Sequence, residues 1–197
     1  MKFEESRTKE NLAKAFAGEC QAGARYQFVA KKAKQQGYGY IETLLKTQAK
    51  NEMAHAKAYY DLIVNNSAKP PANIEITGGY PFKDGDLVKN LKDAMETEKD
   101  ESKNIYPSFA KVAEEEGFPD IAKTFTLVST VENCHYMLLK QLYEGLKSGK
   151  LYKKPQAIKW KCNECGFEHT AKQPWEICPI CKYEKGYVQI PIETGEE

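Results

Sequence analysis

Long hydrophobic runs and blocks of one charge are missing from this sequence. No stretch approaches the ~18 consecutive apolar residues needed to span a bilayer, and residues 1–7 lack the apolar core of a secretory signal. Lysine plus arginine number 29 against 28 for aspartate plus glutamate, so the formal net charge is only +1. With no basic or acidic block, there is no footprint for nucleic acid or an anionic membrane. We therefore expect a cytoplasmic protein with neither kind of partner.

Two further scarcities bear on redox chemistry. The Gly-x-Gly-x-x-Gly fingerprint of a dinucleotide-binding fold does not occur. We therefore expect neither NAD(P)H nor flavin to bind here, and a separate reductase would have to supply any electrons. The chain has only six cysteines. In a reducing cytoplasm they are expected to be free thiols or metal ligands and not disulfides.

What the sequence does contain is helical periodicity. Apolar residues recur at the three- and four-residue spacing of buried helices in four segments, which are 8–36, 40–65, 85–116 and 119–147. Short glycine-containing breaks join the first two and the last two, whereas a stretch with Pro and Gly, 66–85, separates the pairs. This layout predicts a mainly α four-helix bundle with one long crossover. Pro107, inside the third helix, is expected to bend it or to remove one backbone hydrogen bond.

The pattern Glu-x-x-His occurs twice, as Glu52 to His55 and as Glu132 to His135. Residues three apart share one face of a helix, so the Glu and His of each pair can point at the same ion. Both pairs lie in an apolar stripe, where an unpaired carboxylate is costly to bury. One such pair alone would fit a solvated ion pair at a helix edge. Two copies in the same phase predict a metal site between helices.

Three more carboxylates lie in the buried stripes, one on the first helix and two on the third. The candidate ligands are therefore Glu19, Glu52, His55, Glu98, Glu101, Glu132 and His135. This set is too large for one tetrahedral zinc and matches that of di-iron and di-manganese carboxylate bundles. The two halves of the bundle repeat each other except at Glu101, whose counterpart is Ala22. Glu101 is expected either as an extra ligand for oxidised ions or as a solvated helix residue.

Four cysteines near the C-terminus form a second candidate site. Cys162 and Cys165 precede Cys178 and Cys181 in two Cys-x-x-Cys pairs, a spacing that can wrap one ion tetrahedrally. A structural zinc ribbon and a one-electron iron centre both fit the spacing, while the Gly, Pro and aromatic residues around the pairs favour iron. The predicted domains are the bundle, 1–148, a polar linker, 149–159, and a small metal-bound β domain, 160–197.

Together these residues are similar to those of a known family. The chain resembles rubrerythrin, a ferritin-like di-iron four-helix bundle followed by a rubredoxin-like domain, over nearly all of 8–192. Besides the ligand motifs, the resemblance rests on Ala-Gly-Glu at 17–19 and Tyr-Pro-Ser-Phe-Ala at 106–110. Lys182 departs from it, because rubredoxin-like knuckles usually carry Gly there. We expect this departure to weaken an amide-to-sulfur hydrogen bond and to shift the potential.

By resemblance, the bundle ligands divide into bridging, terminal and exchangeable groups. The implied bridges are Glu52 and Glu132, the implied terminal ligands Glu19 and Glu98, and the implied imidazole ligand of one iron His135. The second iron is implied to bind His55 when reduced and Glu101 when oxidised. The cofactors that follow are two non-haem irons in the bundle and one iron on Cys162, Cys165, Cys178 and Cys181.

Four further residues lie close to the predicted ligands. Tyr26, on the same face as Glu19, and Tyr106 are expected either to donate hydrogen bonds near the site or to be core tyrosines. Cys20 and Cys134 are each one position from a ligand, so helical geometry turns them about 100° away from it. We expect both to be small buried apolar residues, the alternative being redox-sensitive thiols.

The resemblance also implies a function. The protein would be a non-haem di-iron peroxidase that reduces hydrogen peroxide to water. An external electron donor or reductase would re-reduce it, one electron at a time, through the cysteine-bound iron. It would form a head-to-tail homodimer in which each small domain serves the partner's di-iron site. The alternative is a ferroxidase or iron-handling protein with a structural zinc ribbon.

Overall fold

Five α-helices make up most of the described structure, a computed structural model that covers residues 2–69, 71 and 73–192. They are α1 Arg7–Gln35, α2 Gly39–Asn66, α3 Leu87–Asp100, α4 Tyr106–Glu115 and α5 Pro119–Lys147. Helix α1 packs against α2, and α3 and α4 pack against α5, which confirms the predicted mainly α bundle. None of the described helices is long and apolar enough to cross a membrane. Met1 and 193–197, at the outer ends of the predicted domains, lie outside the described residues.

Glycines end the helices at both short turns. Gly37 after α1 and Gly117 after α4 have φ angles of +80° and +86°, a left-handed conformation that a side chain disfavours. The amide of the following residue then bonds back into the helix, with Tyr38 N 2.9 Å from Ala33 O after α1. Each helix therefore stops within a residue or two, and its successor starts in the opposite direction.

The predicted third helix, 85–116, is helical from Leu87 to Glu115, but it is irregular beside Pro107, where the sequence predicts a bend or a lost hydrogen bond. This part of the chain divides into α3 and α4 around a single π-helical turn, Glu101–Ile105. In that turn the amide of Tyr106 bonds to the carbonyl of Glu101, five residues back. Pro107 has no amide proton and cannot continue a regular α ladder, which gives the break a physical reason. The turn holds one extra residue and rotates everything that follows it.

A layer of glutamate and histidine side chains from α1, α2, α3 and α5, called the polar layer below, lies between two apolar clusters inside the bundle. Toward the turn between α1 and α2, the cluster includes Leu45 and Leu139. Toward the other end, an aromatic cluster includes Tyr59, Tyr106 and Phe125, whose ring centroids lie 5.2 to 6.1 Å apart. Side chains in the layer between the clusters are therefore screened from bulk water along the bundle axis.

The connection between α2 and α3 is the predicted long crossover. Its described residues, 67–69, 71 and 73–86, form neither helix nor strand. Side chains attach it to α1, where Lys32 pairs with Asp84 at 2.6 Å. At its end, Asp86 caps α3 by accepting the amide of Lys89 at 2.7 Å.

The C-terminal unit is a small β domain. Strands β1, Ile158–Lys161, and β2, Glu168–Ala171, pair antiparallel, with Trp160 opposite His169. Trp160 is fully buried and donates its indole N–H to Ala171 O at 3.0 Å. A two-stranded sheet of this size is marginal by itself, so the unit needs a further source of stability.

The small domain packs against the turn between α1 and α2 of its own chain. Gly186 approaches the carbonyl of Gly37 so closely that no side chain fits between them. The predicted linker, 149–159, takes part in this contact, because Leu151 is buried in the same apolar cluster as Ile190. This part of the chain is therefore packed onto the end of the bundle.

Candidate metal centres

Five buried side chains and the partly buried His55 meet in the polar layer of the bundle. Helices α1 and α3 contribute one carboxylate each, and α2 and α5 each contribute a Glu and a His from consecutive turns. They are Glu19, Glu52, His55, Glu98, Glu132 and His135. The four carboxylates are only 1% to 2% exposed. The two Glu-x-x-His pairs and two of the lone glutamates thus come together as their spacing predicts.

His55 faces three of the carboxylates. Its Nδ1 atom lies 2.9 Å from Glu132 Oε1, 3.1 Å from Glu52 Oε2 and 3.6 Å from Glu19 Oε2. One ligand atom from each of these four residues lies within 4.8 Å of every other. Together they outline one cation position.

His135 builds a second position beside the first. Its Nδ1 atom lies 2.8 Å from Glu132 Oε2, 3.0 Å from Glu52 Oε1 and 3.6 Å from Glu98 Oε2. Glu52 and Glu132 thus turn one oxygen toward each histidine, whereas Glu19 and Glu98 each face only one. The two imidazole ring centroids are 6.0 Å apart. Two adjacent cations that share two carboxylates fit this geometry.

Several ligand atoms in the layer have no partner other than one another. Both oxygens of Glu132, Glu98 Oε2, Glu52 Oε1 and His135 Nδ1 are buried, and apart from the imidazole–carboxylate contacts among these ligands they have no hydrogen-bond partner within the described structure. Buried polar atoms normally have partners, because leaving them unpaired is costly. Four carboxylates would neutralise two divalent ions, and hard oxygen donors with imidazole suit iron or manganese. The residues present therefore fit a dinuclear metal centre.

Burial shifts the pKa values of these ligands. It raises the pKa of Glu19 and of Glu98 to about 8, although hydrogen bonds with His55 and His135 act in the opposite direction. Burial opposes a charge on His55, but the surrounding carboxylates, led by Glu132, outweigh it and raise the pKa of His55 to about 12. The pKa of Glu132 falls to about 2 against the effect of burial, because both imidazoles hydrogen-bond to it. At neutral pH the metal-free ligands therefore hold several protons.

Metal loading is accordingly expected to release protons. At pH 7 His55, Glu19 and Glu98 carry protons that a cation must displace. Calorimetric titration of the apoprotein with Mn²⁺, in buffers of different ionisation enthalpy, should give more than one proton released per pair of ions at pH 7. Above pH 8 the number should fall, because both carboxyls then ionise before the metal binds. A heat that does not depend on the buffer would contradict this shared buried site.

Two buried tyrosines hydrogen-bond to the layer. Tyr26 on α1 donates its hydroxyl to Glu98 Oε1, and Tyr106 on α4 donates to Glu19 Oε1. The sequence left open whether these tyrosines donate hydrogen bonds near the site, and the structure shows that both do. Tyr26 lies seven residues after Glu19, whereas Tyr106 lies eight after Glu98. The π turn supplies that extra residue, because a regular helix would bring Ile105 to this position instead.

Sequence reasoning misses one residue at the layer. The side-chain nitrogen of Asn51 on α2 lies 3.3 Å from His135 Nε2, the ring nitrogen that faces away from the carboxylates. Such a contact orients a ligating imidazole and helps to fix which ring nitrogen carries the proton. Asn51 belongs to no sequence motif, so only its contact with His135 across the bundle identifies it.

Glu101 is the one predicted bundle ligand that belongs to neither group of converging side chains. It occupies the first position of the π turn, is half-buried and contributes no atom to either cation position. Burial and the neighbouring carboxylates, Glu98 foremost, raise its pKa well above the usual value. It lines a cavity of about 490 Å³ between α1, α3 and the crossover. The structure therefore places Glu101 beside the cation positions, facing a cavity.

The prediction that both thiols next to ligands are buried is wrong, because neither is. Cys134 is exposed, and Cys20 is half-buried. The prediction fails at Cys134 because the rotation of about 100° that turns it away from His135 carries it to the outer surface of α5. At Cys20, burial and the nearby Glu19 raise the pKa of the thiol above its usual value.

The four C-terminal cysteines converge on one point. The sulfurs of Cys162 and Cys181 lie 3.6 Å apart, and those of Cys165 and Cys178 are separated by the same 3.6 Å. These distances suit tetrahedral coordination of one ion by thiolates. Burial disfavours the thiolate of Cys178, but the amides of Cys181 and Ile180 point at its sulfur and lower its pKa to about 6. A thiolate available at neutral pH is the form that binds metal.

Lys182 closes the second cysteine knuckle in a left-handed conformation. Its φ of +65° is close to the +76° of Gly166 at the matching position of the first knuckle. The backbone bonds also match, since Lys182 N lies 3.0 Å from Cys178 O, and Gly166 N lies 3.0 Å from Cys162 O. A non-glycine residue in this conformation costs about 1–2 kcal/mol. Lys182 therefore strains the backbone while it keeps the course that glycine would take.

A helical bundle with two carboxylate-bridged cation positions, joined to a four-cysteine β domain, defines the di-iron carboxylate proteins that carry a rubredoxin-like module. The family described as rubrerythrin matches residues 10–143, and its rubredoxin-like domain matches 160–188. A rubrerythrin from Clostridium perfringens is 38% identical over 190 residues, which is 96% of each chain. The chain belongs to the rubrerythrin family.

Solved structures agree with this assignment. A structure of nigerythrin in a mixed-valence state aligns over 93% of this chain and 86% of that chain, with a TM-score of 0.60 and 27% identity. A Desulfovibrio desulfuricans bacterioferritin aligns over 73% and 82%, with a TM-score of 0.65 and 22% identity, which supports the fold alone. The fold is ferritin-like, and the two candidate centres are a di-iron site and a rubredoxin-like iron site.

Proposed function

We propose that this protein reduces hydrogen peroxide to water in the bundle and receives its electrons through the four-cysteine site. The reaction consumes two electrons and two protons and converts one H₂O₂ into two molecules of water. The observation that carries the proposal is the sharing of Glu52 and Glu132 between the two histidines, because this arrangement would hold two cations side by side. Rubrerythrins and nigerythrin are among the relatives that match over most of the chain.

Two ferrous ions in the bundle would supply both electrons for O–O cleavage at once, and one iron on the four thiolates would return them singly. The protein's own part is to position the ions, exclude water and hold protons. The apolar clusters on either side of the layer limit solvent access. Proton donors stand ready at the carboxyl of Glu101, whose pKa is raised chiefly by burial, and at the hydroxyls of Tyr26 and Tyr106.

In this proposal the bundle ligands have separate duties. Glu52 and Glu132 would be shared between the two ions, Glu19 and Glu98 would each serve one ion, and His135 would hold one of them. His55 would hold the other ion in the reduced state, and Glu101 would hold it in the oxidised state. The position of Glu101 just outside the layer suits that exchange, because a ferric ion gains from one more hard carboxylate oxygen.

The route for electrons favours a head-to-tail homodimer. Each small domain contacts its own bundle at Gly37 and Gly39, whereas Glu52 lies further along α2. At 1.5 Å per residue, the thirteen residues from Gly39 to Glu52 span about 20 Å. A partner subunit arranged head to tail would bring its four-cysteine site nearer to the di-iron layer. Full turnover by an isolated monomer would contradict this arrangement.

Anaerobic stopped-flow mixing tests the proposed reaction. Reduced protein should be oxidised quickly by hydrogen peroxide, slowly by oxygen, and should build no mineral core. A ferroxidase role, the alternative from the sequence, is not favoured by the comparisons and predicts the reverse order. Metal analysis and colour test the second site, because iron on four thiolates is red, whereas a zinc ribbon is colourless. Slow oxidation by peroxide would overturn the proposal.

Replacing Glu101 by glutamine should slow peroxide turnover about tenfold to a hundredfold, because the oxidised centre loses a carboxylate. The four-cysteine site lies in the other domain and should keep its iron and its absorption spectrum. Glu96→Gln is a matched control, since Glu96 lies on α3 just before the π turn and lines the same cavity but is exposed. Unchanged turnover in Glu101→Gln would remove Glu101 from the ligand set.

A further inference from the structure

The crossover segment 73–86 forms a strap across α1 and α3. Side-chain contacts hold it. In its middle Tyr80 donates to Lys14 O at 3.2 Å and Arg25 donates to Pro81 O at 3.2 Å, and toward its end Lys83 pairs with Asp93 at 3.6 Å and Asp84 with Lys32 at 2.6 Å. Within the described structure, no backbone-to-backbone hydrogen bond joins 73–84 to either helix. The strap can therefore shift without breaking regular secondary structure.

Two cavities lie beneath the strap. The smaller one, of about 280 Å³, reaches Tyr26 and Glu98, and the larger one, of about 490 Å³, reaches Glu101 and Tyr106. Both cavities share a set of lining residues from α1, α3 and the strap, which are Arg25, Pro81, Lys83 and Thr97. The two cavities are therefore neighbouring parts of one groove.

The groove meets the di-iron layer on its α3 side. Of the predicted bundle ligands only Glu98 and Glu101 line it, whereas neither histidine nor either shared carboxylate does. The two tyrosines that hydrogen-bond to the terminal carboxylates line it as well. A small molecule in the groove would therefore meet a carboxyl group and a phenol hydroxyl beside the cation positions.

We propose that this groove is the access route for hydroperoxides and that Tyr80 selects among them by size. The inference rests on the proposed peroxidase function and adds the route and the selecting residue. Tyr80 extends from the strap to α1, where its Cε1 atom would lie 3.9 Å from a Cβ added at Gly18. Its ring forms a wall of the larger cavity. Hydrogen peroxide passes beside this ring, whereas a hydroperoxide with a bulky organic group has to displace it.

Replacing Tyr80 by alanine tests the selection directly. The rates at which hydrogen peroxide and cumene hydroperoxide oxidise the anaerobically reduced protein should be compared. In Tyr80→Ala the rate with cumene hydroperoxide should rise about tenfold relative to that with hydrogen peroxide. Phe82→Ala is the control, because Phe82 lies on the same strap with 93% of its surface exposed and lines neither cavity. An unchanged ratio in Tyr80→Ala would overturn the role of Tyr80.

A blocking variant tests the route without peroxide. Leucine at Gly18 would project into the larger cavity and should slow azide binding to the oxidised metal-loaded protein about tenfold or more, measured by its charge-transfer band. Ala24→Leu adds the same side chain on an exposed face of α1 and should leave the azide rate as in the parent protein. An unchanged azide rate in Gly18→Leu would place the access route elsewhere. If the parent protein binds azide at the normal rate but does not reduce peroxide, the proposed function is refuted and the access route is not.

Discussion

Glutamine in place of Glu132 is expected to leave the bundle unable to hold both ions and to lower peroxide turnover about a hundredfold or more. The two oxygens of Glu132 lie 2.9 Å from His55 Nδ1 and 2.8 Å from His135 Nδ1, so each serves a different cation position. An amide keeps one oxygen and turns an N–H₂ group, which cannot bind a cation, toward the other position. One substitution thereby damages both positions.

Metal content per chain and steady-state turnover are the two measurements for Glu132→Gln. Glu42→Gln is a matched control on α2, because Glu42 is also buried but pairs with Lys46 at 2.7 Å in the first turn of that helix. It should retain metal and activity. The iron of the four-cysteine site should be normal in both variants. Full metal loading and parental turnover in Glu132→Gln would refute the shared role of this carboxylate.

Serine in place of Cys178 is expected to abolish turnover that depends on a reductase while sparing a single oxidation of the reduced bundle. Cys178 is fully buried, and its lowered pKa makes it a ready thiolate that a serine hydroxyl cannot replace. The two-stranded sheet has little core without the ion, so we expect the small domain to unfold when the metal is lost. The ligands in the bundle are on other elements and should keep their ions.

The visible spectrum and two kinetic assays test the Cys178→Ser prediction. The red colour should disappear, reductase-driven turnover should cease, and one rapid oxidation by peroxide should remain. Cys134→Ser is the control, because Cys134 is exposed and one residue from a bundle ligand. Mixed dimers of Cys178→Ser and Glu132→Gln subunits should regain turnover if each small domain serves its partner. Reductase-driven turnover that persists in Cys178→Ser would remove the cysteine site from the electron route.

The sequence anticipates most of the fold and the candidate ligands because these features repeat locally. Helical periodicity places Glu52 and His55 on one face of α2, and the same holds for Glu132 and His135 on α5. A buried stripe also marks Glu19 as the only inward carboxylate of α1. The paired Cys-x-x-Cys motifs carry their own spacing. Such inferences need only the geometry of one helix or one loop.

Among the helices, the sequence prediction is least accurate around the π turn. A strict three- and four-residue pattern keeps Ile105 inward and treats 85–116 as one helix. The extra residue of the turn instead buries Tyr106 against Glu19, on a different helix. Cys134 shows the same limit. Its position next to His135 predicts that its side chain points away from the metal ligands, but only the packing of the helices decides whether another element covers that side of α5.

The sequence by itself determined that two copies of a carboxylate-and-imidazole motif, two lone glutamates and four thiols would be available in a bundle and a small domain. Only the tertiary structure decided which oxygen of Glu132 faces which histidine, that Asn51 contacts His135, and that the crossover covers a groove leading to Glu101. The reason is physical. Periodicity specifies the direction of a side chain from its own helix, whereas a contact between helices depends on their relative height, rotation and irregular turns.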